Sequence, residues 1–132
     1  MCIIWSMAQC AFAIVRKDNE VLLVQIAPLF NHAYDWNFPG GVIEQGEDTE
    51  EGLVREVYEE SGIICSIVSL RDQFIFPDSG DEIFIYDALY VEGKLCPQEE
   101  EILSARWVSL DTTLSLPLAY NIGSYLKSLD DA

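Results

Sequence analysis

The chain has 132 residues, half of them hydrophobic, and a formal net charge of −16 from 7 basic and 23 acidic side chains. That length and apolar content suit one domain, residues 1–132, with a real core, and exclude a disordered tail. The charge speaks against nucleic acid or an anionic membrane as partner, and an anionic small-molecule substrate would need a positive intermediary such as a divalent metal.

Cys2, Cys10, Cys65 and Cys96 are far apart and form no C-x-x-C pair, so structural zinc is not expected, and reduced thiols in a cytoplasmic protein are. The first fifteen residues are apolar and uncharged. They lack the basic start of a signal peptide and run directly into a strand-like segment.

Gln9–Val15 is a short apolar run and Glu20–Ile26 a second, joined by the polar turn Lys17–Glu20, which predicts a β-hairpin. Residues 28–35 read as a loop carrying the only histidine, His32, taken as a loop or surface residue. The aromatics here have two readings: core at a strand entry, favoured for Trp36 and Phe38, or a wall against a flat ring, open to Phe30 and Tyr34. Phe38-Pro39-Gly40-Gly41 predicts a chain break, and Val42-Ile43 a short strand or turn.

A helix then follows, capped by Asp48 with Glu51 three residues on and ended by Gly62. Leu53, Val54, Val57 and Tyr58 form its apolar stripe. Its other face carries Glu56, Glu59 and Glu60. Taking Glu56 as zero on a helical wheel, Glu60 lies about 40° to one side and Glu59 about 60° to the other. Such like-charge pairs repel by roughly 0.2–0.5 kcal/mol each, a cost that disappears if hard cations sit among the oxygens. Gly52 lies between Glu56 and Glu59 on the wheel, where it costs roughly 0.8–1 kcal/mol against Ala. We read it as the place where the preceding loop backbone lies flat on the helix. Eight acids and one base, Arg55, fall between Glu44 and Glu60.

Downstream, Ile63–Phe76 reads as one long or bent strand, Pro77–Asp81 as a turn, and Glu82–Val91 as the returning strand. After the acidic run Glu99–Glu101, Ser104–Leu110 alternates as a further strand. Pro117–Leu129 reads as a terminal helix started by its proline. Strands paired mostly as hairpins with two helices give an α+β class, a mixed sheet with helices on its faces. The residues alone thus support a divalent-metal, phosphate-directed site, with Arg55 and Glu47 as the natural ion pair beside it.

From Gly41 the spacing runs five residues to Glu47, seven more to Arg55-Glu56-Val57, then Glu59-Glu60, Gly62 and Ile63. This resembles the Nudix box, G-x5-E-x7-R-E-U-x-E-E-x-G-U with U aliphatic. All nine fixed positions match, and the box covers 23 of the 132 residues. The flanking Trp36, Phe38-Pro39-Gly40 and Arg106-Trp107-Val108 are also similar to members of this size. The resemblance implies an α/β/α sandwich around a mixed β-sheet and Mg²⁺- or Mn²⁺-dependent hydrolysis of the pyrophosphate bond in a nucleoside diphosphate linked to a group X. It implies metal ligands at Gly40 (carbonyl), Glu56, Glu59 and Glu60, and a loop-to-helix brace between Glu47 and Arg55. The general base is Glu59 or an acid of a later loop, for which Glu101, with Glu100 behind it, is the candidate. A nucleoside triphosphate, oxidised ones included, is the first substrate expected, with Phe30, Tyr34 and Trp36 flanking the base. ADP-ribose, a nucleotide sugar and a non-catalytic nucleotide sensor are the alternatives. Monomer and homodimer both remain open.

Overall fold

A computed structural model describes residues 8–130. Residues 1–7, which include Cys2 and the first half of the apolar start, and residues 131–132 lie outside the described residues. The strands are β1 (Gln9–Lys17), β2 (Glu20–Ile26), β3 (Trp36–Asn37), β4 (Gly40–Ile43), β5 (Ile63–Ile75), β6 (Glu82–Gly93) and β7 (Ile102–Ser109). The helices are α1 (Thr49–Ser61) and α2 (Ile122–Asp130), with a 3₁₀ turn at Thr113–Ser115 between β7 and α2.

β1 organises the sheet. One edge runs parallel to β6 from Gln9 to Arg16. The other edge is divided: β4 pairs antiparallel with its start and β2 with its end. β2 then leaves β1 and pairs along its length with β7, and its last residues also pair with β3. The expected hairpins β1–β2 and β5–β6 both form, and the parallel β1–β6 pairing makes the sheet mixed.

Alternation along β1 sends its side chains to opposite faces. Ala11, Ala13 and Val15 pack with Leu53 and Val57 of α1. Ile14 packs on the other face with Trp36, Phe38 and the α2 residues Ile122, Leu126 and Leu129. The result is the helix–sheet–helix sandwich expected. Within α1 the stripe is narrower than its sequence suggests, because Tyr58 is largely exposed. Among the described residues no helix is long and apolar enough to cross a membrane.

Three local expectations change. Gly40 and Gly41 are not a break but the first half of β4, paired with Phe12 and Ala11. The acidic loop before β7 ends sooner, so that strand starts at Ile102 rather than Ser104. The terminal helix starts at Ile122, not Pro117. The intervening backbone is captured by Trp36 instead: Trp36 N–H donates to the Pro117 carbonyl at 2.7 Å and Ala119 N–H to the Trp36 carbonyl at 2.8 Å. A strand-like bridge to Trp36 outweighs the helix-starting preference of proline.

Candidate functional site

α1 is built as the local sequence dictates. The Asp48 side chain accepts the Glu51 N–H at 3.1 Å, and Gly62 turns the chain out at φ 82°. The free carbonyls at the C-terminal end are met by the segment after β6. Cys96 N–H donates to the Ser61 carbonyl at 2.8 Å and Gln98 N–H to the Glu59 carbonyl at 3.1 Å. These bonds lay residues 96–99 along the acidic face of the helix.

Arg55 sits at the centre of the ion pairs. Its Nε and Nη2 grip the two oxygens of Glu47 at 2.9 and 3.1 Å, a bidentate fork. Its Nη1 donates to Glu56 at 3.1 Å and to Glu59 at 3.2 Å. The Arg55 bonds come first among the causes holding the Glu47 carboxyl below the usual carboxylate range, and Glu47 in turn raises the Arg55 guanidinium further above its ordinary value. A second contact holds the loop: Glu44 N–H donates to Glu47 Oε1 at 3.1 Å.

Gly52 has a different reason from the one expected. A Cβ there would lie 2.7 Å from Glu47 Oε1 and 3.0 Å from Ile43 Cδ1. What lies on the helix is therefore the Glu47 carboxylate rather than loop backbone. Gly41 likewise leaves room for Glu56, whose Oε2 would lie 3.2 Å from an added Cβ.

Glu60 is the outlier of the set. It is 7% exposed, and its Oε1 accepts the Gly40 N–H at 2.8 Å. Among the described residues no basic side chain pairs with it. Burial, then the charges of Glu56, Glu101 and Glu99, push its carboxyl up to about 8, against the opposing Gly40 hydrogen bond. Burial likewise raises Glu56, partly offset by Arg55. Glu99 comes within hydrogen-bonding reach of Glu59, and that contact holds its carboxyl above the ordinary range.

The glutamates expected to bind metal therefore share one face of α1 but not one focus. Among the described residues no three histidine, cysteine, aspartate or glutamate side chains gather as a ready metal cage. Arg55 holds Glu56 and Glu59, and the Gly40 N–H holds Glu60. The donor set nevertheless fits a hard divalent cation. It is all oxygen, it is crowded with negative charge, and its most buried member lacks a positive partner.

Of the later acids, Glu99 meets Glu59, while on Glu60 the charge of Glu101 acts ahead of that of Glu99. Glu101 also anchors the loop backbone, its carbonyl accepting the Ala27 N–H at 2.8 Å. The charge run itself points to this segment but does not single out Glu99.

The three aromatics separate. Phe30 and Tyr34 are exposed, whereas Trp36 is 5% exposed and packed in the α2-side core, its ring covered by the Arg106 guanidinium 5.6 Å from its centroid. Trp36 thus has no free face for a base, because its strand pairing turns the ring inward. A cavity of about 600 Å³ opens instead between the sheet and α2. Its aromatic walls are Phe12, Phe38, Phe74, Phe76, Tyr120 and Tyr125, with Pro77, Ser79 and Asp81 from the β5–β6 turn. Tyr120 stands between Phe76 and His32, ring centroids 5.9 and 4.3 Å away. Two residues carry the chain from Phe38 in the cavity wall to Gly40 on Glu60. The walls come from separate elements, so no single stretch of sequence announces them.

Comparison with known proteins agrees with this geometry. A family model described as the NUDIX domain matches residues 7–129. The NAD-capped RNA hydrolase NudC of Pseudomonas aeruginosa is 33% identical over 116 residues, covering 88% of this chain and 41% of that protein. The chain thus spans less than half the length of the curated relatives it matches. Among solved structures, a NUDIX hydrolase from Nitrosomonas europaea superposes with a TM-score of 0.82 at 21% identity, covering 91% of this chain and 67% of that one. The NUDIX domain of Shewanella oneidensis NrtR, solved with ADP ribose, gives 0.77 at 18% identity, covering 97% and 89%.

Proposed function

The chain belongs to the Nudix family, and from that premise we propose that it hydrolyses the pyrophosphate bond of a nucleoside diphosphate linked to a group X, with Mg²⁺ or Mn²⁺ as cofactor. The observation that carries this reading is Glu60: a buried carboxylate beside Glu56, with a backbone donor but, among the described residues, no basic partner. A stability-driven helix has no use for it, and a cation-binding one does.

In this reading Glu56, Glu59 and Glu60, with the Gly40 carbonyl, would hold a divalent cation, which when bound would supply charge neutralisation for the phosphate oxygens. The chain's own residues do the rest. The Glu47–Arg55 fork fixes the loop to the helix and keeps Glu56 and Glu59 aligned. Gly40 lets β4 lie against β1, and Gly41 leaves room for the Glu56 carboxylate. A water oxygen attacks phosphorus, the bridging P–O bond breaks, and the water proton passes to a carboxylate, Glu59 or Glu101. The cavity between sheet and α2 takes the nucleoside, with Phe30 and Tyr34 at the exposed loop nearby.

Nucleoside triphosphates are the first substrates of this reading. ADP-ribose is the second, favoured by the ligand of the NrtR neighbour. A screen of nucleoside triphosphates, ADP-ribose, dinucleotides and nucleotide sugars, with and without Mg²⁺, tests it. Release of a nucleoside monophosphate only with the metal is expected. No hydrolysis of any member would favour a nucleotide-sensing module.

Gly52→Ala gives a sharper check on the brace. The helix gains about 0.8–1 kcal/mol of propensity, but the new methyl displaces Glu47 from Arg55. We expect the thermal midpoint to move little and kcat to fall on the order of tenfold to a hundredfold. Unchanged kcat would show that the fork is dispensable.

A further inference from the structure

The cavity beside α2 is aromatic, yet both charged side chains on its lining are acids, Asp72 and Asp81. Both are fixed. Asp72 Oδ2 accepts the Tyr125 hydroxyl at 2.7 Å and Oδ1 the Gln73 N–H at 2.9 Å. Asp81 Oδ1 accepts the Ala8 N–H at 3.1 Å, while its own N–H donates to the Ser79 hydroxyl. Each carboxylate oxygen has a second lone pair, so both residues keep acceptor capacity toward the cavity. Burial and the Asp72 bond push the Tyr125 hydroxyl up to about 12, so it stays a donor and leaves Asp72 the acceptor.

Asn37, Ser79 and Asn121 also line the cavity and can donate, so it is the two carboxylates that favour a flat, uncharged or positive ligand presenting N–H groups. An anionic phosphate or sugar acid is repelled, which leaves the phosphates of a substrate to a cation held by the α1 glutamates. Nucleobases differ in the same respect. Adenine, guanine and cytosine present an exocyclic amino group. Uracil and thymine present one N–H between two carbonyl oxygens, whose lone pairs would face the carboxylates. Asp72 is exposed and Asp81 half-buried, so an opposed carbonyl loses the hydrogen bond to a charged acceptor rather than facing a dry pocket.

Resting on the proposed hydrolase reading, we infer that Asp72 and Asp81 are specificity-determining residues. They select nucleotides whose base bears an exocyclic amino group and reject those of uracil and thymine.

Calorimetric titration of the wild-type protein with AMP, GMP, CMP and UMP in Mg²⁺ buffer tests this without turnover. At least one of the first three is expected to bind about tenfold or more tighter than UMP, the effect of one hydrogen bond to a charged acceptor. Asp72→Asn and Asp81→Asn should narrow that gap, with Tyr125→Phe as a milder variant that leaves both acids in place and narrows it less. UMP binding as tightly as the others, or no nucleotide binding, would overturn the inference. So would a gap unchanged in both aspartate variants. If a variant fails to fold, the wild-type order alone decides. Selective binding without hydrolysis of any substrate would refute the hydrolase reading and leave the base preference standing.

Discussion

Glu60→Gln is expected to make the metal-free protein more stable while removing its activity. The wild-type carboxyl titrates near 8 when folded and near 4.5 when unfolded. Between those values the folded state holds more protons, so stability falls as pH rises through the window. The full difference corresponds to at most about 5 kcal/mol, reached above pH 8 and absent below about pH 4.5. Gln is neutral throughout and keeps an oxygen for the Gly40 N–H. Its thermal midpoint without metal should therefore exceed that of wild type by several degrees at pH 8, and the advantage should shrink with falling pH and vanish below about pH 4.5. Mg²⁺ should raise the wild-type midpoint at pH 8 and raise that of the variant less. Hydrolysis should fall roughly a thousandfold, since a metal contributes several kcal/mol to the transition state. An equal midpoint difference at both pH values would show that the buried charge is not the cause.

Gly40→Ala is the second large effect, and it arises from backbone. At φ 150° an added Cβ would lie 2.1 Å from the Ala11 carbonyl oxygen and 2.7 Å from Phe12 Cα. Neither is a side-chain end that rotates away. The central strand β1 must separate from β4, and with it goes the N–H that Glu60 accepts. A loss above about 4 kcal/mol is expected, a large part of the stability of an ordinary domain. Gly46→Ala is the control, because nothing lies within 4 Å of its added Cβ and the only penalty is a φ of 85°. Chemical denaturation of both variants checks this. Comparable stabilities would mean that β4 does not lie against β1 as described.

The sequence showed most of α1 because its information is local. Asp48, Gly62 and the glutamate spacing act within a few residues, and the structure keeps each. Both hairpins were readable for the same reason. What escaped depends on distant partners. Pro117 predicts a helix start by its own ring, but Trp36, 81 positions earlier, captures that backbone as an extended segment. Trp36 and Phe38 are core residues, as their strand-entry position suggests, and only the place of Trp36 beside a base fails. Gly52 signalled a close contact without revealing that a side chain, Glu47, makes it. The cavity acids Asp72 and Asp81 sit on a strand and a turn, and only the β5–β6 hairpin brings them to one chamber. In the run Glu99–Glu101, charge alone does not distinguish the member that meets Glu59, because the hydrogen bonds of Cys96 and Gln98 to the helix end set it.

The most direct measurement is Mn²⁺ binding, followed by the loss of free-ion electron paramagnetic resonance signal, for wild type and for Glu59→Gln and Glu60→Gln. Wild type should bind at least one ion, and each variant should bind at least about tenfold more weakly, as loss of a ligand or its support does. Wild type that binds no ion, or variants that bind as tightly, would contradict a metal site on α1.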